Sequence, residues 1–522
     1  MGTARVASRA QLGLLAPRVE VEVHLGSGLP TFSIVGLPAT VVKESKDRVR
    51  AAVQNSGFEF PAGRITVNLS PADLPKEGCR YDLPIALGIL LASSQLKSTG
   101  ELLSRAEFYG ELGLAGELKP VKGVLLAAAH AVREARNVVV PAANLREARL
   151  AAPASTQGAD TLLGVCGLFG SRAAHRAGII DEPPLPEEFG QATEAGPLDL
   201  SDVRGQAAGK RALIVAAAGG HSILLIGPPG TGKSMLAQRL AGLLPALEGD
   251  EALDVASIAS VSTRGFNACD YGRRPFRSPH HTASAGAIIG GGPHARPGEV
   301  SLAHRGVLFL DELPEFNRRV LESLREPLET GVVAISRAAL QVEYPARFQL
   351  IAAMNPCPCG YLGETSGRCR CTPPEIARYR ARISGPLLDR IDLRVEVPTV
   401  PSEELLGERA PLDAASGSAS AAQRVRVTRA LQFRRAGKLN AELSGDEIQL
   451  VCRLDRHCRL LLTQARTKLS LSARGVHRVL RVARTIADLA IADRKTAGLE
   501  NETGPIGPVH LAEALQLRRA HD

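Results

Sequence analysis

The run Gly227-Pro-Pro-Gly-Thr-Gly-Lys233-Ser234 has the order of residue types that binds the phosphates of a nucleotide. Gly227, Gly230 and Gly232 let the backbone curl until several N–H groups point at one anion, and Pro228, Pro229 and Thr231 complete the loop. The helix expected to start at Lys233 adds the partial positive charge of its N-terminus. Lys233 can reach the β- and γ-phosphates, and Ser234 can ligate Mg2+. Both flanks fit: an apolar strand, Ser222 to Ile226, precedes the loop and a helical stretch, Met235 to Leu244, follows it. A chance glycine-rich turn would carry neither flank.

Hydrolysis needs acids on the metal side, and Val307-Leu-Phe-Leu-Asp311-Glu312 ends an apolar strand in two carboxylates. Asp311 can hold the Mg2+ shell and Glu312 can polarise the attacking water. An ordinary acidic pair at a turn is the bland alternative, and the phosphate loop upstream argues against it. A further apolar strand, Phe348 to Ala352, leads to Asn355, whose amide can orient a water beside the γ-phosphate. Arg390 follows a Gly-Pro turn in Ile383-Ser-Gly-Pro-Leu-Leu-Asp-Arg390-Ile-Asp392, and Arg474 and Arg478 open a basic helix.

Cys357, Cys359, Cys369 and Cys371 place four soft ligands within 15 residues. Four thiolates suit tetrahedral Zn2+; the alternative is a set of free thiols. A span of 84 positions separates Gly227 from Asp311 and holds Arg273, Arg274, Arg277, His280, His281 and a Gly290-Gly-Gly292 run. Val332 to Ser336 and Leu340 to Tyr344 read as a β-hairpin with Arg337 near its tip, where a cation can track phosphates without reading bases.

These groups need a scaffold, and 522 residues suffice for about three domains. Residues 1–180 alternate strand-like runs (Val19 to Leu25, Thr31 to Val35, Ile65 to Leu69, Phe108 to Leu114, Val138 to Val140) with helical ones (Val41 to Ser56, Val121 to Arg136), a mixed α/β domain. A Pro- and acid-rich linker is expected over 181–198, a second α/β unit over 199–397, a hinge over 398–420 and a helical module over 421–522. The net charge is +9, and residues 421–522 alone hold 19 Lys/Arg against 10 Asp/Glu, so the excess belongs to that module. A basic module on a neutral body suggests a polyanion such as nucleic acid, or a solvated helical face. The longest apolar runs are too short for a membrane span, and no secretory signal is visible, so a cytoplasmic protein without membrane contact is expected.

In this order the motifs resemble those of AAA+ ATPases, and within them the magnesium-chelatase-like ComM/YifB family, over nearly the whole chain. The specific matches are Thr31-Phe-Ser-Ile-Val-Gly-Leu-Pro38, Arg277-Ser-Pro-His-His-Thr-Ala-Ser284, the run 302–316 around Asp311 and Glu312, Asn355-Pro-Cys-Pro-Cys-Gly360, and Arg382 to Asp392. The resemblance implies ATP and Mg2+ as cofactors, Asn355 as sensor 1, Arg390 as an arginine finger acting on the neighbour's γ-phosphate, and Arg474 as sensor 2, with Arg478 the competing choice. A finger working in trans implies a ring, by resemblance a hexamer. The long span before Asp311 resembles an insert in helix 2 of this branch, and the hairpin a pore element. Arg277 and Arg337 are then DNA-contact candidates, while Arg277 in a structural loop, and His280 and His281 as buried residues or metal ligands, stay open.

Residues 75–87 resemble the active-site loop of the Lon-type protease fold, but Arg80 stands where those enzymes carry the nucleophilic Ser. Lys122 matches their general-base Lys, and Cys79 lies one position off, so no peptidase activity is expected. The function implied is an ATP-driven hexameric helicase promoting branch migration of recombination intermediates, including those of natural transformation, with single-stranded and branched DNA as partners. The alternative is a chelatase-type ATPase remodelling a protein partner. An enhancer-binding activator is discounted, since no G-A-F-T-G-A loop is present.

Overall fold

The computed structural model describes residues 2–97, 100–169, 179–180, 198–292, 295–337, 340–364, 367–401, 403, 417–496 and 504–518. The linker expected over 181–198 lies outside them apart from Leu198, as do residues 404–416 of the expected hinge. Contacts gather the chain into two units. One comprises Met1–Gly190, Glu248–Gly272 and Ser336–Tyr344; the other comprises Gln191–Leu247, Arg273–Ile335 and Pro345–Asp522.

The first unit is built on an eight-stranded mixed sheet in the order Ile179–Ile180, Thr156–Ala159, Asn137–Pro141, Ala106–Phe108, Gly2–Arg9, Arg18–Gly26, Arg64–Ser70, Thr31–Val35. Alternation explains the central strands: Val19, Val21 and Val23 face the core while Glu20 and Glu22 face away, and Ile65, Val67 and Leu69 repeat the pattern on the antiparallel neighbour. The apolar run near Leu83 forms the helix Asp82–Ala92, buried at every position but Leu91. It touches the sheet at Gly88, where a Cβ would come within 2.5 Å of a Val23 methyl. The strand Gly2–Arg9 pairs along its whole length with Arg18–Gly26. The helix Gly249–Ser260 also belongs to this unit, with Ser260 Oγ donating to Glu147 Oε1 at 2.5 Å and Lys122 Nζ to the Thr263 carbonyl at 2.9 Å. The long span between Gly227 and Asp311 is thus divided: its middle part, Glu248–Gly272, packs with residues remote in sequence.

The second unit holds a five-stranded parallel sheet in the order Phe276–Arg277, Val307–Leu310, Gln349–Met354, Ile223–Ile226, Leu393–Glu396. Its strands are near-continuous apolar runs because both faces are covered, here by helices such as Ala207–Gly219 and Lys233–Leu243. The first strand in the chain lies between the fourth and the fifth. The direction of winding therefore reverses beside it, which opens a crevice at the carboxyl ends of the strands. The outer strands Phe276–Arg277 and Leu393–Glu396 were not foreseen. The helices Ser418–Ala436, Gly445–Val451, Arg456–Lys468, Ala473–Thr496 and Pro508–Gln516 follow and share one apolar core with the sheet. The fold is the expected mixed α/β architecture with a parallel P-loop core and a C-terminal helical region.

Candidate nucleotide site

Gly227, Asp311 and Asn355 each follow directly on the carboxyl end of a neighbouring parallel strand, so the sheet alone brings them together. The strand Ile223–Ile226 runs into the loop, and Gly227 leaves no room for a side chain: a Cβ there would lie 2.1 Å from the Val397 carbonyl oxygen. Gly230 and Gly232 take left-handed φ values of 76° and 90° with open space before them. Thr231 Oγ1 closes the turn by donating to the Pro228 carbonyl at 2.9 Å.

Lys233 is buried at 8% exposure. Its Nζ donates to the carbonyls of Gly227 and Pro228, each at 2.7 Å, and to Asn355 Oδ1 at 3.2 Å. All three are neutral oxygens, so among the described residues this buried cation has no carboxylate in hydrogen-bond reach. Burial lowers its pKa, with Asp311 and Glu312 pulling the other way from a distance. Such a cation is a ready receptor for a phosphate. Ser234 Oγ donates to Asp311 Oδ2 at 2.7 Å, which pairs two hard oxygens of the kind Mg2+ takes. The donor set therefore fits a magnesium nucleotide.

Glu312 has a left-handed backbone, φ 52°, a conformation costing a non-glycine residue about 1–2 kcal/mol. The chain turns sharply there, and its N–H donates to Asp311 Oδ1 at 2.9 Å. The two adjacent acids then meet different partners. Asp311 meets Ser234, while Glu312 Oε2 lies 3.0 Å from His281 Nδ1.

Arg390 is buried at 7% exposure, bound by the Glu329 carboxylate and by the Pro386 carbonyl at 2.7 Å. Arg474, which is exposed, reaches the same Glu329 oxygen at 3.8 Å. Arg478 instead donates to the Arg390 carbonyl at 2.9 Å and to Asp392. Burial alone would raise Asp392, but His221 and Arg478 hold its carboxyl well below the usual range. Arg478 is therefore tied to a buried carboxylate, and Arg474 shares a partner with Arg390. Arg277 gives its guanidinium fork to Glu299 at 2.5 and 2.7 Å, so a phosphate would have to displace that carboxylate. Arg337 ends the first strand of the hairpin Val332–Arg337 with Leu340–Pro345; its side chain lies outside the description.

The four thiols converge. Cys357 Sγ lies 3.4 Å from Cys359 Sγ and 3.8 Å from Cys369 Sγ, Cys359 and Cys369 are 3.7 Å apart, and all four sulfurs fall within 4.8 Å of one another. A Zn–S bond of about 2.3 Å sets a tetrahedral edge of about 3.8 Å. No other group of three or more Cys, His or acidic side chains is placed to hold a metal among the described residues, His280 and His281 included. The loop abuts the phosphate loop: a Cβ on Gly360 would lie 2.8 Å from Pro229 Cδ.

In the first unit, Arg80 donates to Gln11 Oε1 at 3.0 Å and to the Lys122 carbonyl at 2.8 Å. The Cys79 thiol is pushed up to about 11, first by burial and then by Glu111, which suits no nucleophile.

Fold and site together define an AAA+ ATPase. Family models match in three blocks: "Subunit ChlI of Mg-chelatase" over residues 21–144, "Magnesium chelatase, subunit ChlI" over 199–405, and "Magnesium chelatase, subunit ChlI C-terminal" over 415–518. The chain is 48% identical to the protein YifB of Salmonella typhimurium over 99% of its own length and 97% of that protein's. It is also 48% identical to "Competence protein ComM" of Haemophilus influenzae, over 99% and 98%. The "Magnesium-chelatase 38 kDa subunit" of Rhodobacter capsulatus is 29% identical over 30% of this chain and half of that one. The chain belongs to the ComM/YifB family of magnesium-chelatase-like AAA+ proteins, and as such it is an ATP hydrolase. No helix among the described residues is long and apolar enough to cross a membrane.

Sequence reasoning had no signal for Glu329, one of two carboxylates on the short helix Arg325–Thr330, nor for the tie between His281 and Glu312. The sequence offers His280 and His281 as buried residues or metal ligands; in the structure His280 is exposed and His281 half-buried.

Proposed function

We propose that this chain is the subunit of a hexameric ATP-driven DNA motor that promotes branch migration of recombination intermediates. The observation that carries the ATPase part is the buried Lys233 ammonium among neutral oxygens, beside the Ser234–Asp311 pair. Bound Mg2+–ATP supplies the phosphoanhydride to be cleaved and the charge of the metal. Lys233 binds the β- and γ-phosphates, Ser234 and Asp311 hold the metal, and Asn355, already bonded to Lys233, orients the water whose proton Glu312 accepts. Arg390 and Arg474 act on the neighbouring subunit's nucleotide, leaving Glu329 for its phosphates. Zn2+ on Cys357, Cys359, Cys369 and Cys371 stiffens the loop between Asn355 and Arg390.

The distribution of charge supports the DNA part. In the helical module Arg424, Arg435, Lys438 and Arg484 pair with Asp493, Asp488, Glu447 and Asp488. The helix Arg456–Lys468 contains no carboxylate, buries Cys458, and exposes Arg456, Arg459 and Arg466, for which no side-chain partner is found among the described residues. Three of the module's positive charges thus share one outward face. Arg337 on the hairpin is the pore contact, and the name of the H. influenzae relative accords with a task in competence. The chelatase family models favour a second reading, ATP-driven remodelling of a protein partner. A four-way-junction assay with ATP separates the two. Branch migration that Glu312→Gln abolishes is expected, and ATP turnover with no effect on forked or four-way DNA overturns the motor.

A further inference from the structure

We propose that His281 is a positioning residue for ATP hydrolysis: its Nδ1–H holds one oxygen of the Glu312 carboxylate and so aims the other at the attacking water. This rests on Glu312 being the general base. The carboxylate needs such a hold. Glu312 follows a strained turn, its side chain is 54% exposed, and three freely rotating bonds would otherwise let it wander. Among the described residues its close side-chain partner is His281, at 3.0 Å.

His281 is itself held. Its ring lies 4.1 Å from that of His280, and the edge of Phe316, a buried residue four positions beyond Glu312, meets it at 6.4 Å and 80°. His280 is fixed in turn by Thr282 Oγ1, 2.9 Å from its Nδ1. The Arg277–Glu299 fork pins the same segment four residues upstream of His281. A neutral imidazole with its proton on Nδ1 donates to the carboxylate without removing its negative charge, so the base keeps its capacity to accept a proton. His281 is also the residue through which segment 277–284 reaches the chemistry.

The test is steady-state ATP hydrolysis by the full chain, with His281→Ala, His281→Asn and Glu312→Gln side by side. In His281→Ala, kcat falls about tenfold or more because the base is no longer aimed, while KM for ATP stays within about twofold because Lys233, Ser234 and Asp311 are untouched. The Asn amide nitrogen can take the place of Nδ1, so His281→Asn recovers kcat to within about threefold of wild type. The rise in melting temperature on adding Mg2+–nucleotide stays the same in all three His281 forms. Unchanged kcat in His281→Ala, an Asn variant as slow as the Ala variant, or a loss confined to KM or to the nucleotide-induced melting shift would each overturn the proposal. Full turnover in Glu312→Gln would instead overturn Glu312 as the base, and the positioning role with it.

Discussion

Replacing Lys233 by Met separates a binding role from a structural one, because the two move melting temperature in different ways. Lys233 is 8% exposed, and among the described residues its ammonium donates to the Gly227 and Pro228 carbonyls and Asn355 Oδ1. Met keeps the length of the side chain and removes the charge. Without nucleotide, three hydrogen bonds from a charged donor are lost, each about 1.5–3 kcal/mol, while the desolvation of a buried cation, which costs several kcal/mol, is relieved. These offset, and the nucleotide-free variant is expected to melt within about 2 °C of wild type. With nucleotide the terms no longer cancel. Charge-assisted bonds to phosphate contribute about 1.5–3 kcal/mol each, so a loss of about 2.8 kcal/mol weakens binding roughly 100-fold. At a nucleotide concentration about 100 times the wild-type Kd, ligand stabilisation falls from about 2.7 to about 0.4 kcal/mol. For a unit of about 300 residues that is a melting shift of about 4 °C in wild type and less than about 1 °C in the variant. Thermal melts with and without Mg2+ and a non-hydrolysable ATP analogue measure both numbers. A variant that melts several degrees low on its own yet keeps the full nucleotide shift would make Lys233 a structural residue and refute the phosphate site.

Further outcomes are expected elsewhere in the chain. Metal analysis should find about one zinc per chain, and Cys369→Ser should lose it together with ATP turnover, since the loop that the thiols close rests on Pro229 through Gly360; a metal-free chain with full activity would exclude the zinc. Arg390→Ala and Lys233→Met should each be inactive alone but recover turnover when mixed, because a Lys233→Met subunit still offers its arginine to the neighbour's intact loop; an inactive mixture that still assembles would place Arg390 outside the neighbour's site. Converting Arg456, Arg459 and Arg466 together to Ala should leave basal ATPase unchanged and lower the slope of log affinity for duplex DNA against log salt by about 2–3, at roughly 0.9 per phosphate contact. An unaltered slope would make that helix face a merely solvated one.

The sequence by itself determined the nucleotide loop, the acid pair and Asn355. Each is a short backbone device at the end of an apolar strand, and its chemistry depends on residues adjacent in the chain: a Gly230 that must take φ 76°, or an Asp311 that must follow Leu310 out of the sheet. The four cysteines were legible for the same reason, being held within one loop. What the arginines and histidines do was decided only by the tertiary structure. Arg390 finds its carboxylate on Glu329, 61 residues away, and Arg277 is taken up by Glu299. Arg478 is drawn to Asp392, 86 residues away, while Arg474 stays exposed, and His281 meets Glu312 from far upstream in the chain. A long charged side chain binds whichever opposite group the fold brings within about 3 Å, and sequence spacing carries no record of that distance. The same holds for the segment 248–272, which reads as part of the nucleotide core and packs with the first unit because its partners, Glu147 and Lys122, lie more than a hundred residues upstream.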